Sequence, residues 1–320
     1  MVTLIFIKVQ LFLSITASLC SILSFPSCGS GKHNDNRDRS SDISFVEAQF
    51  ADPEGEYRPA PLWTWNASVT TEDIDRMLKY FKEEGFGGAF IHPRPGLETE
   101  YLSDEWFRLW SYSVEKGKEL GLDMWIYDEN SYPSGFAGGH MYHEMPESSN
   151  HPVKLAMKDG KVVPVCDTPR RFCGDVPYVD LIYPGVTEKF LQITMDGYEK
   201  EFGKDLGELA HGSFSDETEC PFWTTDFPEQ FTADWGYDLM PHLNELAEET
   251  GNWKETRFRY SYTRHRLFQE RWGQVYHDWC DEHKMLWTGH YWEHGWPELN
   301  VNPDHMAMYA FHQMPPLTCL

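Results

Sequence analysis

Two hydrophobic patterns alternate along the chain: short runs that are almost wholly apolar, and longer stretches with apolar residues at i, i+3, i+4 and i+7. Trp63–Asn66 reads as a first strand. Thr70-Thr-Glu-Asp73 then offers a capping threonine with acids behind it, and Ile74, Met77, Leu78 and Phe81 follow at helical spacing up to Gly85. Gly87–Ile91 predicts a strand buried on both faces. Ser103-Asp-Glu105 opens a second helix carrying Trp106, Trp110 and Val114 to Gly121, and Leu122–Tyr127 predicts the next strand. Residues 130–180 break this rhythm. Pro133-Ser-Gly-Phe-Ala-Gly-Gly139 reads as loop, and Lys154–Val165 alternates around Asp159-Gly160 like a hairpin. A helix from about Thr187 to Phe202 leads to a strand ending at Glu217. The longest predicted helix, Lys254 to His283, has Phe258, Tyr262, Phe268, Trp272, Tyr276 and Trp279 on its apolar side. It delivers the chain to a strand ending at Glu293, and Asp304–Phe311 would supply one more helix.

Strands alternating with helices predict an α/β fold with a parallel sheet, of the (β/α)8 TIM-barrel type. The count reaches only five or six βα units, so residues 57–320 are expected to form a partial barrel with an insertion at about 130–180. Each expected strand ends in polar side chains of catalytic type: Pro61-Leu-Trp-Thr-Trp-Asn66, Phe90-Ile-His-Pro-Arg94, Met124-Trp-Ile-Tyr-Asp-Glu129, Gly212-Ser-Phe-Ser-Asp-Glu217 and Met285-Leu-Trp-Thr-Gly-His-Tyr-Trp-Glu293. Carboxylates converging on one rim, in a chain whose residues are 15% aromatic, point to sugar cleavage.

Composition narrows the class further. With 27 Lys and Arg against 51 Asp and Glu, the formal charge is −24. No basic cluster is available for phosphates, so nucleic acid is excluded as a partner. Residues 1–28 form a separate object: Lys8 precedes an apolar run from Leu11 to Phe25, shorter than the roughly 20 residues of a membrane-spanning helix. Together with Pro26-Ser-Cys28-Gly it reads as an export signal, with lipidation at Cys28, ordinary cleavage and an uncleaved anchor as the alternatives. A polar linker, residues 29–56, follows. The expected location is outside a bacterial cytoplasm, in the periplasm or as an outer-membrane or cell-surface lipoprotein, with a lipid on Cys28 as the one membrane attachment. Cys166, Cys173, Cys220, Cys280 and Cys319 show no zinc or redox spacing, though a Cys166–Cys173 disulfide is compatible with export.

The segments Pro61–Asn66, Gly85–Leu97, Tyr101–Phe107, Trp125–Gly139, Ser215–Glu217 and Gly289–Glu293 together resemble the TIM-barrel proteins of glycoside hydrolase family 106, the α-L-rhamnosidases. Where this chain has Ser-Asp-Glu-Thr218, relatives usually carry Thr-Asp-Glu-Pro, and they continue for several hundred residues more. The resemblance implies an inverting glycosidase acting on α-L-rhamnosides or related glycans, with calcium as a candidate cofactor and an oligosaccharide or polysaccharide as partner.

Glycoside hydrolysis needs one carboxyl group to protonate the leaving oxygen and another to activate water or attack the sugar. Glu217 is the candidate general acid and Glu293 the candidate base. Asn66, His92, Arg94, Asp128, Glu129, Asp216, His290, Trp292 and His294 are candidates for holding the substrate. Adjacent strand residues point to opposite sides, so at most one of Asp128 and Glu129 faces a site directly. Trp63, Trp65 and Trp125 could stack on sugars, although tryptophans in barrels mostly pack the core. His290-Tyr-Trp-Glu-His294 also matches H-x-x-E-H, an inverted zinc-peptidase motif that needs a helix, whereas Gly289, Gly295 and Pro297 and the surrounding aromatics favour a strand. The second reading, ahead of the peptidase, is a surface glycan-binding lipoprotein, a truncated remnant without catalysis.

Overall fold

The computed structural model describes residues 43–170, 175–292 and 303–314. Residues 1–28, read as an export signal with Cys28, lie outside the described residues, as do Cys173, Glu293 and His294. Contacts divide the chain at Asp52. Before that point a helix, α1 (Ile43–Ala51), stands in the stretch expected to be linker.

From Pro53 onward the chain builds one parallel sheet, in the order β1 (Leu62–Trp65), β2 (Gly88–Pro93), β3 (Asp123–Tyr127), β6 (Ala210–Thr218), β7 (Leu286–Tyr291). A separate antiparallel hairpin, β4 (Pro152–Lys158) and β5 (Lys161–Cys166), occupies the expected insertion, turning through Asp159 and Gly160 at positive φ. Among the described residues β1 and β7 each pair on one side only, so the sheet is open. The α/β class and the parallel sheet of five strands are as expected for a partial barrel, and the described strands do not close into a ring.

The connecting helices follow the capping signals. Helix α2 (Thr71–Glu83) starts on a reciprocal capping box between Thr70 and Asp73, and α3 (Asp104–Leu120) starts on Ser103 and ends at Gly121 in the left-handed region. Helix α4 (His140–Glu144) belongs to the insertion, and α5 (Val186–Phe202) and the short α6 (Leu206–Leu209) lead into β6. After β6 come α7 (Phe227–Trp235), α8 (Trp253–Phe268) and α9 (Gln274–Glu282), with α10 (His305–Tyr309) beyond β7.

The single long helix expected over 254–283 is two helices joined by a π-helical turn, Gln269–Gly273. The extra residue per turn rotates one half against the other, so one apolar stripe cannot serve both. Trp272 and Tyr276 are buried as expected. Phe258 and Tyr262, however, face solvent, and α8 instead buries Tyr260, Thr263, Arg264 and Leu267.

Strand alternation sorts the sheet into two faces. Trp63, Ile91, Ile126 and Trp287 join the hydrophobic cluster that the helices cover. On the opposite face Phe90 lies against Trp125 and Phe214, with ring centroids 4.9 and 5.3 Å away.

The insertion is tied down by a buried pair. His151 Nε2 lies 2.8 Å from Asp180 Oδ2, and its Nδ1 lies 2.7 Å from the Glu147 carbonyl. Both ring nitrogens therefore face acceptors, and the pair holds one proton more than a neutral histidine beside a carboxylate. Burial alone would lower the His151 pKa, but Asp180 and the Glu147 carbonyl more than offset it and raise it above 6.5. Burial likewise raises Asp180, which also favours keeping the shared proton. A raised folded-state pKa gives stability that is full below ~6.5 and is lost as pH rises through the folded value, about 1.4 kcal/mol for each pH unit between them. Thermal melts should therefore show a loss of stability above pH ~6.5 that His151→Gln abolishes. Identical pH dependence in both proteins would show that the pair does not carry the extra proton.

Candidate active site

His92, Tyr127, Asp216 and His290 sit near the carboxyl ends of β2, β3, β6 and β7. Each lies two residues beyond a residue of the face opposite the helices: Phe90, Trp125, Phe214 and Thr288 precede them in that order. The side chains make a continuous row. The His92 ring stacks on Tyr127 with centroids 3.6 Å apart, and the Tyr127 hydroxyl lies 2.5 Å from Asp216 Oδ2. His290 Nε2 in turn bonds Asp216 Oδ1. Burial works against the charge on Asp216, but the hydrogen bonds from His290 and Tyr127 outweigh it and hold its carboxyl below the ordinary range. Asp216 is thus an ionised carboxylate fixed at both oxygens.

Glu217 would point to the helix side if β6 stayed regular. Instead its φ is +50°, in the left-handed region, and the β6–β7 register shifts between Ser215 and Thr218. This bulge breaks the alternation. As a result Asp216, Glu217 and His290 all offer polar atoms within 4.8 Å of one another. Gly289 makes the close strand approach possible, because a Cβ there would stand 2.0 Å from the Ser215 carbonyl oxygen. The main chain resumes pairing where the Trp292 amide donates to the Thr218 carbonyl at 3.1 Å.

The two acids after β3 have other work. Asp128 falls on the helix side by alternation and is fully buried, accepting from Ser134 Oγ at 2.5 Å and from the Tyr276 hydroxyl at 3.0 Å. Burial raises its pKa well above the ordinary value. Glu129 is also fully buried. Its two oxygens accept the backbone N–H groups of Asn130, Gly135, Phe136, Ala137 and Gly138. Both side chains are buried, and their oxygens are taken by these hydroxyl and main-chain donors. Glu129 shapes the 130–139 loop, and Asp128 anchors Ser134 within it.

The remaining candidates are dispersed along the rim. His92 is buried, and neither ring nitrogen makes a hydrogen bond of ordinary geometry. Burial, then the Arg94 guanidinium, push its pKa down to about 4, so the ring is neutral. Arg94 is half-buried, 4.4 Å from the centre of the Tyr132 ring. Asn66 is exposed just beyond β1, and Trp292 is half-buried. Trp63, Trp65 and Trp125 are buried; Trp63 and Trp65 belong to the hydrophobic cluster, where Trp65 meets Trp106 edge-on at 5.4 Å, whereas Trp125 packs on Phe90 on the opposite face.

One imidazole nitrogen beside two carboxylates is a donor set for zinc- or manganese-type ions, whereas calcium takes oxygen ligands. The calcium implied by the family resemblance therefore does not fit Asp216, Glu217 and His290. His290 lies in β7, so the helix needed by the H-x-x-E-H motif is not formed at its first histidine.

No family model matches the sequence, and no curated protein matches it. The fold is similar to that of a rhamnosidase from Novosphingobium sp. PP1Y, with a TM-score of 0.57 and 12% identity over 83% of this chain and 49% of that one. It is also similar to a β-galactosidase from the psychrophilic Marinomonas ef1, with a TM-score of 0.54 and 9% identity over 80% of this chain and 40% of the other. The chain thus spans about half the length, or less, of these two solved structures. At such identities the likeness is one of fold alone.

Proposed function

We propose that this chain belongs to a glycoside hydrolase acting on α-L-rhamnosides or related glycans, exported and held at the bacterial envelope by a lipid on Cys28. The observation that carries the reading is the bulge that sets Glu217 beside an ionised Asp216 and His290 at the strand ends of the face opposite the helices. Glu217 is the general acid: its proton passes to the glycosidic oxygen as the bond to the anomeric carbon breaks. A general acid must arrive protonated, and a neighbour that is already a carboxylate disfavours a second negative charge. Glu293 is the general base, taking a proton from the attacking water. His92, held neutral by burial, and Arg94 supply hydrogen bonding for sugar hydroxyls. The two similar folds, described as a rhamnosidase and a β-galactosidase, support a sugar substrate.

The test is a panel of 4-nitrophenyl glycosides, α-L-rhamnoside and β-D-galactoside included, with the anomer released followed by NMR. Hydrolysis of the rhamnoside with inversion is expected, which requires Glu217 and Glu293 carboxyl groups roughly 6.5–9.5 Å apart, against about 5–5.5 Å in a retaining pair. Saturable binding of rhamnosyl oligosaccharides with no hydrolysis of any substrate would replace this reading with that of a glycan-binding protein.

A further inference from the structure

We propose that Ser134 is the positioning residue of Glu217; the inference rests on the reading of Glu217 as the general acid. Glu217 holds a left-handed backbone conformation that a glutamate adopts only when its surroundings impose it. The β6–β7 ladder does not impose it, because their register is broken between Ser215 and Thr218. The grip comes from the loop after β3. Ser134 donates its amide to the Asp216 carbonyl oxygen at 2.8 Å and accepts the Asp216 amide on its own Oγ, also at 2.8 Å. Both main-chain groups of the residue before Glu217 are thereby held by one fully buried serine.

Hydrogen accounting explains why the residue is a serine with an acid behind it. The hydroxyl has one proton, and it goes to Asp128 Oδ1 at 2.5 Å. That contact turns a lone pair of Oγ toward the Asp216 amide. The Ser134 carbonyl is fixed in its turn by the Tyr178 hydroxyl. Without the hydroxyl, the Asp216 amide would lose its acceptor and residues 216–217 could relax to extended backbone. Regular alternation would then turn the Glu217 carboxyl toward the helix side, where Ser213 already meets Tyr276.

Two readouts test this. A crystal structure of Ser134→Ala is expected to show Glu217 outside the left-handed region; φ still near +50° would overturn the inference whether or not the protein is active. Kinetically, Ser134→Ala should lower kcat roughly 100-fold on alkyl α-L-rhamnosides with KM little changed, the scale expected for a misplaced catalytic group. In a Glu217→Gln background the same change should add less than about 3-fold, because the two act as one unit. A full additional 100-fold loss there would mean a general structural role and overturn the proposal. Tyr276→Phe removes the other hydrogen bond of Asp128 and leaves the grip on Asp216 intact, so its kcat should stay within about 3-fold of wild type. An equal loss in Tyr276→Phe would likewise overturn it. Should Ser134→Ala fail to fold, Ser134→Cys, close in shape but a weak acceptor, should give the same loss in kcat and the same backbone change. Absence of hydrolysis by the wild-type protein would defeat the glycosidase reading, and the backbone readout would still decide the role of Ser134.

Discussion

Glu217→Gln is expected to lower hydrolysis of alkyl rhamnosides by about 100- to 10,000-fold, the usual contribution of a positioned general acid. With 4-nitrophenyl rhamnoside the loss should be far smaller, because that leaving group departs as a stable anion and needs little protonation. The amide keeps the shape of the side chain and the left-handed backbone is no harder for glutamine than for glutamate. Stability should therefore move by no more than about 0.5 kcal/mol. The comparison of the two substrates separates the acid from its neighbours. Asp216 and His290 share its cluster, but Asp216 is ionised and bonded at both oxygens, so it has no proton to give. Equal losses on alkyl and aryl substrates would remove Glu217 from this role and turn attention to electrostatic stabilisation by the cluster as a whole.

Much of the fold was legible because its signals are local. The capping threonine and serine before α2 and α3, the glycine after α3 and the Asp-Gly turn of the hairpin each act within a few residues. The π-helical turn was not legible. Nothing in Gln-Glu-Arg-Trp-Gly marks an added residue, and its effect is a phase shift that appears only when α8 and α9 are seated on different neighbours. Helix α7 was missed for a related reason: Pro228 and Gly236 bracket a segment too short for a clear helical repeat.

The site was legible in its composition and not in its geometry. The strand-end clusters named the residues that gather, and alternation alone would have sent Asp128 to the helix side once the register of β3 was known. The same rule would have misplaced Glu217, since a left-handed glutamate has no sequence signature. Ser134 lay unnoticed in a stretch read as loop. The one available hint was its glycines: Gly135 and Gly138 both take positive φ, which lets successive amides point inward at one acid. A glycine-rich loop after a strand ending in a carboxylate is a pattern worth reading as a cradle for that carboxylate.

That cradle gives the largest expected effect on stability. Glu129 accepts from amides on both oxygens, two on Oε1 and three on Oε2. Burial pushes its carboxyl up to about 8. That rise stands even with the amides pulling the other way, and only donors face its two oxygens. Glutamine must turn an NH2 group toward one of the two sets, so at least two buried amides lose their acceptor and meet a donor instead. Leaving a buried amide without its acceptor costs about 1–3 kcal/mol, so two of them cost about 2–6 kcal/mol. Glu129→Gln should therefore lower unfolding free energy by that amount in urea titrations, with amide exchange at residues 135–138 accelerating first. Because Ser134 rides on the same loop, hydrolysis of alkyl rhamnosides should fall in parallel, although Glu129 never meets the sugar. A loss below about 1 kcal/mol would mean that the loop keeps its shape without the carboxylate. The 130–139 segment would then owe its conformation to Asp128 and Ser134 instead.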